Sequence, residues 1–198
     1  MVGRAVTRLL SAYAHRDSSR NEGLAIRQPW ASLIAAGVKH HETRSWSTAY
    51  RGTLLIYAAR DLGRGGRSAY GDLLMDLVDE MHDDELEAVV RQGQLLVDQS
   101  TGDDRGSGPV EYMPLDRPPL GRIIAVCDLI AVHPASERAL QYPDDERFGD
   151  YGDGRWAWEL AAVRPLARPI LWRGGPEMWE VPADLKSAVK AELAATAT

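Results

Sequence analysis

The sequence predicts an α+β fold: a small mixed β-barrel with flanking helices and a helical insertion. Three observations lead there. Short apolar segments of strand length alternate with helical repeats in the order strand, helix, strand, strand, insertion, then three strands. One segment, Gly121 to Val132, is a nearly unbroken apolar run, the pattern of a strand buried on both faces. The 198 residues, 44% hydrophobic and 26% charged, suit one domain able to bury a core without covalent staples.

Taken in order, residues 1–20 read as an N-terminal tail, because the turn suggested by Val6, Leu9 and Leu10 is broken at Ser18, Ser19 and Asn21. Leu24–Ile26 reads as a short strand. A helix follows with Pro29 at its first position, Gln28 as its cap, and Trp30, Leu33 and Ile34 at helical spacing. Gly37 ends it in the left-handed conformation. Val38–Trp46 reads as a strand with His40, Glu42, Arg44 and Trp46 on one face and Lys39, His41 and Thr43 on the other. Tyr50–Ala59 is the next strand.

An insertion spans about 61–120. Ser68 is expected to cap a helix carrying Leu73, Leu74, Leu77, Val78 and Met81, and Asp83 or Asp84 a short second one with Leu86, Val89 and Val90. Residues 98–119, rich in Gly, Pro and Asp, are expected to be a mobile or functional loop. After the apolar strand, Pro143–Gly154 reads as an acidic loop, Arg155–Val163 and Ile170–Trp172 as two strands, and 182–198 as a C-terminal helix or tail with Leu185 and Val189 one turn apart.

Charge narrows the function. The chain carries −6 overall, which argues against non-specific binding of long duplexes through a broad basic face. The acidity is concentrated in 61–120, where 14 Asp and Glu face 5 Arg; residues 24–60 hold 5 Lys and Arg against 1 Glu. A single cysteine, Cys127, leaves no internal disulfide and no cysteine zinc site. No apolar run approaches a membrane span, and a cytoplasmic location is expected.

Three stretches carry a family resemblance: Leu24-Ala-Ile-Arg27-Gln28-Pro-Trp30, then Gly37-Val-Lys39-His-His-Glu42-Thr-Arg44-Ser-Trp46, then Tyr50-Arg-Gly52 through Ile56. With the strand from Gly121, the Arg155-Trp-Ala-Trp-Glu159 strand and the ending at Gly174 and Trp179, they resemble an ASCH domain over roughly 22–181, less the insertion. The resemblance implies a PUA-like barrel and a cleft lined by Lys39, Glu42 and Arg44. It further implies a role with RNA or nucleosides, as a binding module, a ribonuclease or a nucleoside amidohydrolase. The deacetylating relatives place Thr where this chain has Glu42, and relatives often carry His where it has Tyr57.

The chemistry of these residues points the same way. Three charges within six residues on an inner strand need pairing. A lysine beside an arginine can act as a base or nucleophile, so Lys39 and Glu42 are the candidate catalytic pair. The ligand-binding set is Arg27, Gln28, Trp30, Lys39, Glu42, Arg44, Trp46 and Tyr57, with Trp46 the preferred aromatic platform. The alternative is an ordinary ion-pair cluster on a barrel rim. No metal set is visible: His40 and His41 are adjacent and expected to point to opposite sides. No cofactor is expected; a divalent metal enters only in a nuclease reading. Asp144, Asp145, Glu146 and Asp150 read as a solvated loop. The expected partner is RNA or a nucleoside, and the acidic insertion could take a protein partner.

Overall fold

A computed structural model describes residues 21–97 and 118–196. The expected loop 98–119 falls almost wholly outside them, as does the N-terminal tail. Twelve elements follow in order: β1 (Glu22–Ile26), α1 (Trp30–Ala35), β2 (His41–Arg44), β3 (Gly52–Ala58), α2 (Gly66–Glu80), α3 (Asp83–Val97), β4 (Arg122–Pro134), α4 (Ala135–Gln141), a 3-10 turn (Pro143–Phe148), β5 (Trp156–Leu171), β6 (Met178–Glu180) and α5 (Ala183–Thr196). The strands form one mixed sheet in the order β2-β5-β4-β3-β1-β6, curled into a half-barrel, so the α+β class and barrel-like architecture stand.

The sheet is covered on both faces. On one, Leu24, Ile26, Leu54, Ile56, Cys127, Leu129 and Trp158 pack with Ala31 and Ile34 of α1. On the other, Leu55, Tyr57, Ile123, Val126 and Leu166 pack with Leu185 and Val189 of α5. Cys127 is free and buried, and burial pushes its thiol pKa up, away from reactivity. The insertion helices lay Tyr70, Leu74, Leu77 and Val89 against Leu33, Val38 and Phe148, so α1 is held between the sheet and the insertion.

Several elements differ from expectation. The two strands read at 155–163 and 170–172 are one sixteen-residue strand, β5. Pro165 and Pro169 suggested a break. Beyond Leu160, however, β4 is the one strand partner of β5 among the described residues, and an edge left without a strand there tolerates residues without an N–H. Register shifts along β4 and β5 absorb the irregularity. β2 is shorter than the expected Val38–Trp46 strand, which leaves Lys39 and His40 before it. The helix expected to start at Ser68 begins at Gly66, entered through Gly65 with φ +84°. The second insertion helix is fifteen residues long rather than short. Residues 143–154 are partly helical, and β6 was not foreseen.

Gly174 shows how tightly the α5 face is packed. Its φ is +72°, and a Cβ there would lie 2.4 Å from the Tyr57 ring. Gly174→Ala is therefore expected to lower stability by about 1–3 kcal/mol, read as a lower urea midpoint at unchanged m-value.

Candidate functional site

The site is assembled where β2 meets the segment between α4 and β5. β2 runs antiparallel to β5 with Glu42 opposite Trp158 and His41 opposite Glu159. Directly opposed residues share a face, so β2 carries two different clusters, one on each side.

On the first side Glu42 is 7% exposed, with Oε1 3.1 Å from Arg44 Nε and Oε2 3.8 Å from Lys39 Nζ. Lys39 lies outside the strand, so it is not bound to the opposite face and reaches Glu42. It is 2% exposed. Its ammonium donates to the Phe148 carbonyl and sits 5.5 Å from the centroid of the Trp30 ring. Burial lowers the Lys39 pKa against the raising influence of Glu42 and Asp145. Arg44 donates through Nη2 to the Ala25 carbonyl. β2 and β1 stand apart in the sheet order, so this bond ties the two across the open side of the half-barrel.

Trp46 is half-buried, edge-on to Trp158 at 4.6 Å, and its carbonyl accepts from Trp158 Nε1 at 3.3 Å. Gln28 is buried. Its Oε1 accepts the Ser32 N–H at 3.1 Å, although the N-cap is Pro29, expected as the first helical residue, and not Gln28; its Nε2 has no acceptor among the described residues. Arg27 is exposed, 3.9 Å from Asp61. Thus Lys39, Glu42, Arg44 and Trp30 come together, while Trp46 follows β2 and packs against the same core cluster as Trp30, and Gln28 precedes α1 and bonds to it. Tyr57 does not join them. It points to the α5 face, where its hydroxyl donates to the Arg173 carbonyl at 3.1 Å and its ring meets Trp179 edge-on.

On the second side lies a network the sequence did not reveal. The His41 Nδ1–H donates to Asp145, and His41 Nε2 accepts from Arg138 Nε at 3.0 Å. A guanidinium only donates, so the imidazole is neutral with its proton on Nδ1. Arg138 also donates to Glu159 and to Gln141 Oε1, and stacks on the Tyr142 ring at 4.5 Å. Asp145, expected in a solvated loop, is 8% exposed. The adjacent histidines converge on it instead of diverging, because His40 precedes the strand; its Nδ1 is 3.8 Å from Asp145 Oδ1.

These contacts fix the 3-10 turn, and the turn delivers the Phe148 carbonyl to Lys39. Gly149 completes the fit: a Cβ there would lie 3.0 Å from Thr43 Oγ1 and 3.2 Å from Lys39 Nζ.

Burial pushes the Asp145 pKa up, but its interactions with His40 and His41 outweigh that and hold the carboxyl well below its usual range. The interaction with Asp145 raises the His40 pKa, against the opposing effect of burial. A raised histidine adds stability that is present below its unfolded pKa and lost as pH rises through the folded one. The stability lost in His40→Ala is therefore expected to be larger at pH 5.5 than at pH 9, by urea denaturation at both. Asp145 acts in the opposite sense: its contribution is present above about pH 4 and lost in acid.

Among the described residues no group of three His, Cys, Asp or Glu could hold a metal ion, and no helix is long and apolar enough to cross a membrane.

The model of the ASCH domain family matches residues 24–170. The chain belongs to this family. The match takes in β1 from Leu24, α1, β2, β3, the insertion, β4 and nearly all of β5, hence both sides of the site. Over 35 residues, 18% of its length, this ASCH domain chain is 54% identical to Activating signal cointegrator 1 from Homo sapiens and from Mus musculus. That segment is only 6% of either relative's length. Among solved structures, the chain is similar to ASCH from Zymomonas mobilis at 13% identity and TM-score 0.48, covering 86% of this chain and 94% of that one. A point mutant of the same protein aligns with 12% identity, 86% and 94% coverage and TM-score 0.48.

Proposed function

We propose that this ASCH domain recognises single-stranded RNA or a modified nucleobase at the site around Lys39, Glu42 and Arg44. The observation that carries the reading is the setting of Lys39, a buried ammonium between a carbonyl, a carboxylate and an indole face. A charge held in that way keeps its place and acts strongly on whatever approaches. Beside it stand part-exposed groups suited to a base. Trp30 and Trp46 offer stacking faces and Arg44 a guanidinium, and the buried Gln28 Nε2 is an unpartnered donor among the described residues. Arg27 adds an exposed cation one residue before Gln28. Lys39 and Glu42 lie beneath, setting the charge of the floor, and Tyr57 supports the fold behind them.

A second reading, a hydrolase acting on RNA or nucleosides, has one observation in its favour. Burial lowers the Lys39 pKa, which raises the share of free amine able to take a proton or attack an acyl carbon. A divalent metal belongs only to the ribonuclease form of this reading.

The test uses a short labelled RNA and a panel of acylated nucleosides, with and without a divalent metal. Saturable binding without product, weakened in Trp46→Ala, is expected for the binding module. Product that disappears in Lys39→Ala would favour the hydrolase. Neither binding nor turnover would overturn both.

A further inference from the structure

One end of the sheet collects arginines that the site does not use. Ile26 pairs with Ala58, Ala58 with Arg122, and Arg122 with Leu171, so the chain leaves β1 and β3, enters β4 and leaves β5 at a single edge. Arg27, Arg60, Arg122 and Arg173 all lie within two residues of that row. Arg60 stretches across Gly121, whose Cβ would lie 3.0 Å from Arg60 Nε, and donates to the Trp172 carbonyl at 3.3 Å. Arg122 donates to the Pro169 carbonyl at 3.4 Å. Arg27 lies over the segment that leads into α2: its Nη2 is 3.9 Å from Asp61 Oδ2, and Asp61 Oδ1 accepts the Gly63 N–H at 2.9 Å. That segment carries Arg64, and the first turn of α2 carries Arg67, both exposed.

Among the described residues, Asp61 is the one carboxylate in ion-pair range of these six guanidiniums. All but Arg122 are exposed, and Arg122 is half-buried. In a chain of net charge −6, such a grouping needs an anionic partner to be useful. A guanidinium with most of its N–H groups free suits the forked geometry of a phosphate. The grouping also adjoins the site, because Arg27 is followed by the buried Gln28 and, three residues on, by Trp30, whose ring faces Lys39.

We propose that this arginine strip is the track for the phosphate backbone of a single-stranded RNA whose base enters the Lys39 site. The strip rests on the reading of that site as an RNA or nucleobase site. It supplies sequence-independent affinity, and the site supplies choice of base.

Affinity for a short fluorescent single-stranded RNA, measured at several salt concentrations, tests the strip. The parent is compared with a triple variant, Arg64→Ala, Arg67→Ala and Arg173→Ala, and with the corresponding triple to Lys. The described side chains of these three arginines make no hydrogen bond or ion pair that folding depends on, so thermal melts should match. Each phosphate that an arginine neutralises adds about 0.7 to the magnitude of the log–log salt slope. The Ala triple is expected to bind more weakly with a visibly shallower slope. The Lys triple should keep most of the slope, and binding of a free nucleoside should not change. Parental binding with an equally steep slope in a folded Ala triple would overturn the strip while leaving the site reading intact. A parent that binds neither RNA nor nucleoside would remove both.

Discussion

Asp145→Ala should lower folding stability by about 1–3 kcal/mol, the usual cost of leaving a buried donor without its acceptor. The carboxylate is 8% exposed and receives the His41 Nδ1–H and the approach of His40. Without it, His41 keeps its Nε2 committed to Arg138 and has no acceptor for its proton, so a buried donor is stranded. The loss should appear as a lower urea midpoint. The 3-10 turn should also loosen, and with it the Phe148 carbonyl that holds Lys39. Asp145→Asn, which keeps an acceptor for His41, should recover part of the stability. A change under about 1 kcal/mol in Asp145→Ala would show that the network is not a structural anchor.

Glu42→Gln is the second large effect. It should cost about 1–3 kcal/mol, since two cations lose a buried partner while the shape is kept. Its effect on ligand is the more telling. Simple charge counting says that removing a carboxylate unmasks positive charge and tightens RNA binding. At Lys39 the reverse is expected. Burial already lowers its pKa, and Glu42 is the first influence that raises it. Without the Glu42 charge the amine loses support for its proton, and Arg44 Nε is left with only a neutral amide acceptor beside its bond to Ala25. RNA binding should weaken about tenfold, and more at higher pH, where Lys39 is less charged. A folded Glu42→Gln variant with parental affinity and pH profile would refute this.

Much of the site is readable in the sequence because its residues lie close together. From Arg27 to Trp46 the strand, the Pro-headed helix, its glycine stop and the charged run succeed one another, and the local periodicities place them. What the sequence hides is non-local or two-faced. His41 and Asp145 are 104 positions apart, and nothing near Asp145 marks it as buried, since its neighbours Asp144 and Glu146 are exposed. The segment Leu54-Leu-Ile-Tyr-Ala58 is apolar throughout, so no alternation tells its faces apart, and Tyr57, expected in the site, belongs with Leu55 on the α5 face. The prolines of β5 suggest a break, and their tolerance depends on how far β2 pairs along β5, which only the strand register reveals. The three-residue β6 has too few positions for any periodicity to show.

The most direct measurement for the central proposal is ultraviolet crosslinking of a short single-stranded RNA to the intact protein, followed by peptide mapping. Adducts are expected on peptides carrying Trp30 or Trp46, reduced by competition with excess free nucleoside and lost in the Trp30→Leu, Trp46→Leu double variant. Crosslinks confined to peptides outside residues 24–51, or adducts unaffected by the double variant, would contradict it.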